Sequence, residues 1–389
     1  MNNREVPPIN ATHKPVHIVL TTIHMPHVLH EYQENIRMHG HLEQVKIWIV
    51  GDKKTPVQTT DIAGDLSAKG LSTVFLDVDT QAAWGCKCMD FYSRLGFNDE
   101  TRRNIGYLSA LENGCDILIS IDDDNFPGAH DFVGSHMKTG KPWDGPMIAE
   151  PSGFYNICEH LDIAPPRPVY PRGFPFLLRD TNNTGRQISS APNARIGVNT
   201  GLWTSAPDID AVTWLNGPVV GNAYTGDDTT VLSQQTWMPV NGQNVSVTRD
   251  LIPAYLCVPM GWPVPGGKIQ RYGDIWGGYF LQAIMQDTGF HAAFGTPVVD
   301  HRRNPHNYMN DLRTEYWGMM LTDWLVNILK SDFHPSATPV TDRVRELSTF
   351  LADTALPALP SWCPEEMTTF FRWTCGNLSA WADACDLFL

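Results

Sequence analysis

Ile117-Leu118-Ile119-Ser120-Ile121-Asp122-Asp123-Asp124 is the stretch that decides the fold. An apolar, β-branched run that ends abruptly in three carboxylates predicts a buried strand. That strand lifts fixed negative charge to the carboxyl edge of a sheet, where open α/β sheets bind ligands. Hard oxygen donors at such an edge suit Mg²⁺ or Mn²⁺, and such an ion in turn suits a diphosphate. Taken alone, three aspartates after a strand also read as a solvated acidic turn.

Upstream, apolar runs at Val16 to Thr22, Val45 to Val50 and Thr73 to Leu76 precede the fourth at Cys115 to Ile121, with room for a helix in each interval. This alternation is that of a parallel sheet covered by helices. The last interval is the clearest helix: Ile105, Leu108 and Leu111 recur at helical spacing, Asp99 or Thr101 can cap it, and Gly114 ends it. Arg102 and Arg103 then fall in its first turn, where cations oppose the helix dipole unless an anion compensates. An ordinary solvated pair of arginines fits the same positions.

Downstream the texture changes. Residues 141 to 218 are rich in proline, glycine and aromatics and read as irregular chain folded over the sheet edge, and 219 to 268 also read as loop-rich. Tyr272 to Gly289 and Asn310 to Lys330 regain helical periodicity. Beyond Pro357-Ala358-Leu359-Pro360 the chain is tryptophan-rich and helical, with Trp362, Trp373 and Trp381 suited to core or interface. The expected fold class is α/β: a mostly parallel central sheet in one domain over 1–330, with a C-terminal helical extension, 331–389, packed on it.

Composition narrows the function. The 389 residues carry a formal charge of −14, with 42% hydrophobic and 18% charged residues, and the pI is near 5.4. No basic footprint favours nucleic acid or an anionic membrane, and no run approaches the roughly 20 apolar residues that span a bilayer. Eight cysteines are too sparse for a disulfide scaffold, and Cys86-Lys87-Cys88 has no second pair at metal spacing. A soluble, cytoplasmic protein with reduced thiols is expected.

The acidic strand with a preceding helix that starts Arg-Arg-Asn-Ile-Gly resembles the nucleotide and metal site of GT-A nucleotide-sugar enzymes. Gly197-Val-Asn-Thr-Gly-Leu-Trp-Thr-Ser-Ala-Pro-Asp-Ile-Asp-Ala211 is similar to the GLW…PDYDA motif of the reversibly glycosylated polypeptides, which include the plant UDP-arabinopyranose mutases. Arg172-Gly-Phe-Pro-Phe-Leu-Leu-Arg179 resembles that family's RGYPFSLR segment, and Arg271-Tyr-Gly-Asp-Ile-Trp-Gly-Gly278 its RYDDMWAG segment. His301-Arg-Arg-Asn-Pro305, followed by Glu315-Tyr316, resembles its H-x-K-x-S-N-P…EY tail.

The resemblance implies a GT-A-like domain that binds a UDP-sugar through Mn²⁺ or Mg²⁺. Asp122 and Asp123 would hold the nucleotide; Asp122, Asp124 and His301 would hold the metal. Thr22, Asp52, Arg102 and Arg103 would join the nucleotide site, and Trp203, Asp208 and Trp276 the sugar or acceptor pocket. Arg172 matches the arginine that family members glycosylate reversibly, with Arg179 its partner; bidentate phosphate clamping by both fits equally. Asp274 is the candidate general base or sugar-hydroxyl contact, or else a helix N-cap. Asp52 also reads as a plain Gly-Asp turn, and His301 outside that tail as a packed histidine.

Three departures bear on chemistry. The family's paired aspartates become Gly273-Asp274, a longer polar stretch runs from Asp180 to Asn193, and the MCGMN-like stretch is scarcely recognisable around Cys257 to Gly267. The nucleotide half transfers, whereas the sugar's fate stays open between a mutase and a glycosyltransferase with an external small-molecule or glycan acceptor. A non-catalytic nucleotide-sugar-binding subunit has only the loss at Gly273 in its favour. A homo-oligomer is compatible with all three.

Overall fold

A computed structural model of the chain describes residues 14–179, 185–190 and 193–389, so part of the polar stretch from Asp180 to Asn193 lies outside the described residues. Val16–Thr21, Val45–Val50, Ser72–Leu76 and Ile117–Asp122 form the four strands expected, each within two residues of its expected ends. They pair in parallel in the order Ser72–Leu76, Val45–Val50, Val16–Thr21, Ile117–Asp122. Helices such as Val28–Met38 and Thr59–Ala68 fill the intervals. The acidic strand is central, and Leu118, Ile119 and Ile121 are fully buried, as an apolar run between two neighbours requires.

The sheet continues past the acidic strand into chain expected to be irregular. Asn244–Thr248 pairs antiparallel with it, then Arg195–Ser205 antiparallel to that, and Phe290–His301 parallel to Arg195–Ser205. Asn244–Thr248 is thus the one reversed strand among these seven, and the sheet is mostly parallel at its centre. The reading of 141–218 and 219–268 as loops is corrected here. Their central strands carry polar residues that point into buried hydrogen bonds: His136 lies 2.9 Å from Ser246 Oγ and 3.0 Å from Asn244 Oδ1. Shorter strands at Thr229–Leu232, Met147–Ala149 and Gln187–Ser189 complete that edge.

Register brings the site together. Thr21 pairs with Asp122, so Thr22 and Asp123 leave the sheet side by side. Just beyond the acidic run, Asn125–Pro127 turns to pair antiparallel with the end of Phe290–His301, His301 facing Asn125. Asp124 is thereby carried to His301.

The 3-10 turn Glu100–Arg102, capped by Asp99, leads into the helix Arg103–Glu112, whose Ile105, Leu108 and Leu111 are buried as expected. The helix Gly273–Ile284 is buried along most of its length. All three of its glycines are obligatory, Gly278 because a Cβ there would lie 2.2 Å from Val240 O. A Cβ on Gly273 would lie 2.4 Å from Val258 O, and one on Gly277 2.0 Å from Leu256 O, so the helix rests directly on the backbone of 256–258.

Trp276, on the same helix, is fully buried. Its ring stacks on Phe371 at 5.6 Å and its indole N–H donates to Thr322 Oγ1 at 3.0 Å. The expectation of Trp276 in the sugar pocket is therefore corrected: it joins the central helix to the C-terminal helix Glu365–Asp386. Trp381 of that helix is likewise core and donates to Pro253 O at 2.7 Å; Trp373 packs on Trp262, and Trp362 is exposed. Among the described residues no helix is long and apolar enough to cross a membrane.

Trp276→Ala should remove this packing and cost about 3–5 kcal/mol of stability, read as a lower denaturant midpoint. The same variant, assayed while folded, should bind nucleotide normally.

Candidate nucleotide-sugar site

The carboxyl ends of Val16–Thr21 and Ile117–Asp122 open into a cavity of about 370 Å³, a volume suited to a small organic ligand. Thr22, Asp52, Arg103, Asp122, Asp123, Asp124, Arg172, Asp208, Asp274 and His301 all line it. Ten residues singled out from sequence, spread over 280 positions, thus meet on one surface.

The acidic edge is held in place from three sides. Arg103 Nη2 donates to Asp122 Oδ1 at 2.7 Å, while its Nη1 donates to Gly242 O at 2.7 Å and Ser120 Oγ at 3.2 Å. Here is the anion that compensates a cation in a first helical turn. Thr22 Oγ1 donates to Asp123 Oδ2. Asn304 donates its backbone N–H to Asp124 Oδ2 at 3.2 Å. Burial pushes the Asp122 carboxyl up to about 6 against the pull of Arg103, with Asp124 adding to the rise. Burial also raises Asp123, despite the hydrogen bond from Thr22. Negative charge is under-neutralised at this edge, the condition that favours a bound cation.

Asp124 and His301 fit a divalent ion. His301 Nδ1 lies 2.6 Å from Ala206 O, which fixes a proton on that nitrogen and turns Nε2, the nitrogen a metal would take in place of a proton, toward Asp124 Oδ2 at 3.5 Å. Neighbouring ligands about 2.1 Å from an octahedral ion sit roughly 3 Å apart. The carboxylate raises the His301 pKa against the effect of burial, and His301 in turn holds Asp124 low despite burial. Among the described residues no three His, Cys, Asp or Glu side chains form a ready cage. The set is the sparse one of Mg²⁺ or Mn²⁺ sites, which take one or two carboxylates and leave positions for substrate phosphates.

Arg172 occupies the opposite end of the cavity, buried and fully engaged. Nε and Nη2 donate to the two oxygens of Asp208 at 3.0 and 3.1 Å. Nη1 and Nη2 donate to Asp274 at 3.2 and 2.9 Å, and Nη1 also to Arg271 O. All five guanidinium donors are committed. Two carboxylates hold the group charged, its pKa well above the ordinary value although burial opposes this.

Besides Trp276, three expected residues stand elsewhere. Arg102 is buried outside the cavity lining, donating to Gln81 Oε1 at 2.8 Å, Gly96 O and Tyr92 Oη. Arg179 pairs with the buried Asp210 at 2.6 Å and lies over the Phe176 ring, 3.7 Å from its centre, because Asp210 also caps the next helix and draws the guanidinium there. Trp203 sits inside the strand Arg195–Ser205 with 1% exposure. Asp274 falls in the first turn of its helix, with Tyr272 at the cap. Asp52 accepts backbone N–H bonds from Lys53 and Asp99 at 2.7 and 3.3 Å, so it is both a turn residue and part of the cavity wall.

Other lining residues went unremarked in the sequence: Glu100, Gln243, Arg271, Arg303, Asn304 and His306. Arg271, Arg303 and Asn304 lie inside motifs already quoted. Glu100 adjoins the arginine pair, and Gln243 enters only because the reversed strand starts beside it.

The description "reversibly glycosylated polypeptide" belongs to the family model that matches residues 13–358. UDP-arabinopyranose mutase 1 of Arabidopsis thaliana is 27% identical over 270 residues, 69% of this chain and 70% of its own. UDP-arabinopyranose mutase 2 of the same plant is 28% identical over 60% of this chain and 59% of its own, and UDP-arabinopyranose mutase 1 of Oryza sativa subsp. japonica 28% over 58% and 57%. The matched part thus spans between just over half and about two thirds of those relatives. Among solved structures, a mannosyltransferase from Pyrobaculum calidifontis in complex with GDP-Man and Mn²⁺ aligns at 12% identity over 97% of this chain and 87% of its own, with a TM-score of 0.41. Glucosyl-3-phosphoglycerate synthase from Mycobacterium tuberculosis in complex with Mg²⁺ and UDP aligns at 11% over 80% and 79%, with a TM-score of 0.37. With a family model covering the acidic strand, the Arg172 segment and the His301 tail in one match, the chain belongs to the reversibly glycosylated polypeptide family.

Proposed function

We propose that the chain is a metal-dependent enzyme acting on a UDP-sugar, and that it breaks the anomeric carbon–oxygen bond to UDP as a nucleotide-sugar mutase. The observation that carries this reading is the convergence of Asp122, Asp123, Asp124, Arg103 and His301 on one cavity, in a family whose relatives are named UDP-arabinopyranose mutases. Residues 1–330 are the catalytic domain in this proposal, and 331–389 brace it. A cytoplasmic setting goes with it, supported by the eight free thiols.

Each residue has a task. Thr22 and Asp52 line the nucleoside end, with Asp123, which Thr22 orients, meeting the ribose. Asp122, fixed by Arg103, and Asp124 with His301 would hold Mn²⁺ or Mg²⁺. When bound, that ion neutralises the diphosphate leaving group as a Lewis acid. Arg172 holds the Asp208 and Asp274 carboxylates at the sugar end, where they accept hydrogen bonds from sugar hydroxyls.

Transient glycosylation of Arg172 is the second reading, favoured by Asp274 Oδ2 lying 2.9 Å from Nη2. As the nitrogen–C1 bond forms and the C1–O bond to UDP breaks, the Nη2 proton passes to Asp274. A free guanidinium is a poor nucleophile, and proton transfer to Asp274 is what would make this one reactive. Transfer to an external acceptor is the alternative if no adduct forms.

Incubation with Mn²⁺ and a panel of UDP-pentoses and UDP-hexoses tests the proposal by NMR and mass spectrometry. A change of ring size in a UDP-sugar is expected; sugar mass on the Arg172 peptide supports the covalent route, and sugar on an added acceptor with free UDP would make the chain a transferase. Failure to bind any UDP-sugar in the presence of metal would overturn the reading.

Asp124→Asn should weaken Mn²⁺-dependent UDP binding by roughly tenfold or more while circular dichroism stays unchanged. Undiminished affinity in a calorimetric titration would remove Asp124 from the metal site.

A further inference from the structure

Eight carboxylates line the cavity, and seven of them accept hydrogen bonds from described residues. Glu100 is the exception. It stands half-buried on the 3-10 turn Glu100–Arg102, its side chain accepts no hydrogen bond from any described residue, and it faces the cavity. The arginines around it are already engaged: Arg103 with Asp122, Arg271 with Glu315 at 2.8 Å, Arg172 with Asp208 and Asp274.

Glu100 lies close to Asp274 on the cavity lining. At position 273 the chain has glycine where the family segment quoted above has a second aspartate, and the Val258 carbonyl fills the place a Cβ would need. Glu100 supplies a second carboxyl there from a different element.

We propose that Glu100 is a sugar-recognition residue, hydrogen-bonding the sugar ring of the bound nucleotide sugar beside Asp274. This rests on the UDP-sugar reading above and deepens it. Burial, with Asp99 and Asp274 close by, raises the Glu100 carboxyl to about 7, although Arg103 and Arg271 pull it down. The nearby Cys257 thiol is itself pushed well above its ordinary range by burial and stays neutral. Below neutral pH Glu100 thus carries a proton and donates. A ring oxygen can only accept, and the Arg172 donors are all spent. Above neutrality Glu100 ionises and the donor is lost.

Calorimetric titrations of UDP and of UDP-arabinopyranose, each with Mn²⁺, at pH 6 and pH 8.5 test this. The ratio of the two dissociation constants isolates the sugar's contribution. It should shift about tenfold against the sugar at the higher pH in the wild type, stay level in Glu100→Gln, which donates at both, and be lost at both in Glu100→Ala. UDP alone should bind all three proteins alike. A pH-independent ratio in the wild type, or an unchanged ratio in Glu100→Ala, would overturn the role of Glu100. Loss of UDP binding by the wild type would instead bring down the nucleotide reading and this inference with it.

Thermal melts give a readout without ligand. The folded protein keeps the Glu100 proton to about pH 7, whereas an unfolded chain releases it near 4.5, so the wild type loses stability as pH rises through that window. Glu100→Gln should therefore gain in Tm over the wild type from pH 5 to pH 8. A constant difference would contradict a buried proton on Glu100.

Discussion

One guanidinium joins the parts of the site that sequence keeps far apart. Arg172 comes from the proline-rich chain over the sheet edge, Asp208 from the turn after the strand Arg195–Ser205, and Asp274 from the first turn of the buried helix Gly273–Ile284. Removing one partner of such a buried pair leaves an uncompensated charge and typically costs about 3–5 kcal/mol. The arrangement therefore fixes the loop, the turn and the helix relative to one another. Gly173, at φ +85° with Ile275 Cγ2 2.2 Å from where its Cβ would be, allows the loop to approach that helix closely enough for the pair to form.

The two ends of the cavity balance charge differently. At the Arg172 end, positive charge is met by carboxylates and the pKa shifts favour the ionised pair: Asp208 is held low by Arg172 despite burial. At the acidic edge Arg103 faces Asp122 with two further aspartates beside it, and burial lifts Asp122 and Asp123 instead. That asymmetry arises from strand register: the Thr21–Asp122 pairing sets the acidic edge, and the 195–205 strand carries its chain on toward Asp208.

The legible half of the fold was the half whose burial is apolar. Strands such as Ile47-Trp48-Ile49-Val50 announce themselves because they are apolar throughout and buried on both faces. Asn244-Val245-Ser246-Val247-Thr248 is as central, yet Asn244 and Ser246 are buried through hydrogen bonds to His136, and a polar alternation in loop-rich surroundings does not signal a core strand. Phe290–His301 is interrupted by Gly295 and Pro297, where its register shifts against Arg195–Ser205. For the site, motif residues at strand ends were legible as chemistry. Arg102, Arg179, Trp203 and Trp276 fell in the same motifs but were claimed by Gln81, Asp210, the strand interior and the Phe371 ring. A motif marks a segment, and tertiary partners decide which of its side chains reach the cavity.

The glycine at 273 shows how far backbone contact governs chemistry here. Its helix lies on the carbonyls of Leu256 and Val258, and the altered segment from Cys257 onward is pinned from the other side by Asn104, which both donates to Cys257 O and accepts from its N–H. A side chain at 273 would push the helix off that support and carry Asp274 away from Arg172. The missing aspartate and the altered 257–267 stretch are therefore one structural change. The close seat of the helix fixes Asp274 against Arg172, on the cavity that Glu100 also lines with a carboxyl that accepts no hydrogen bond from any described residue.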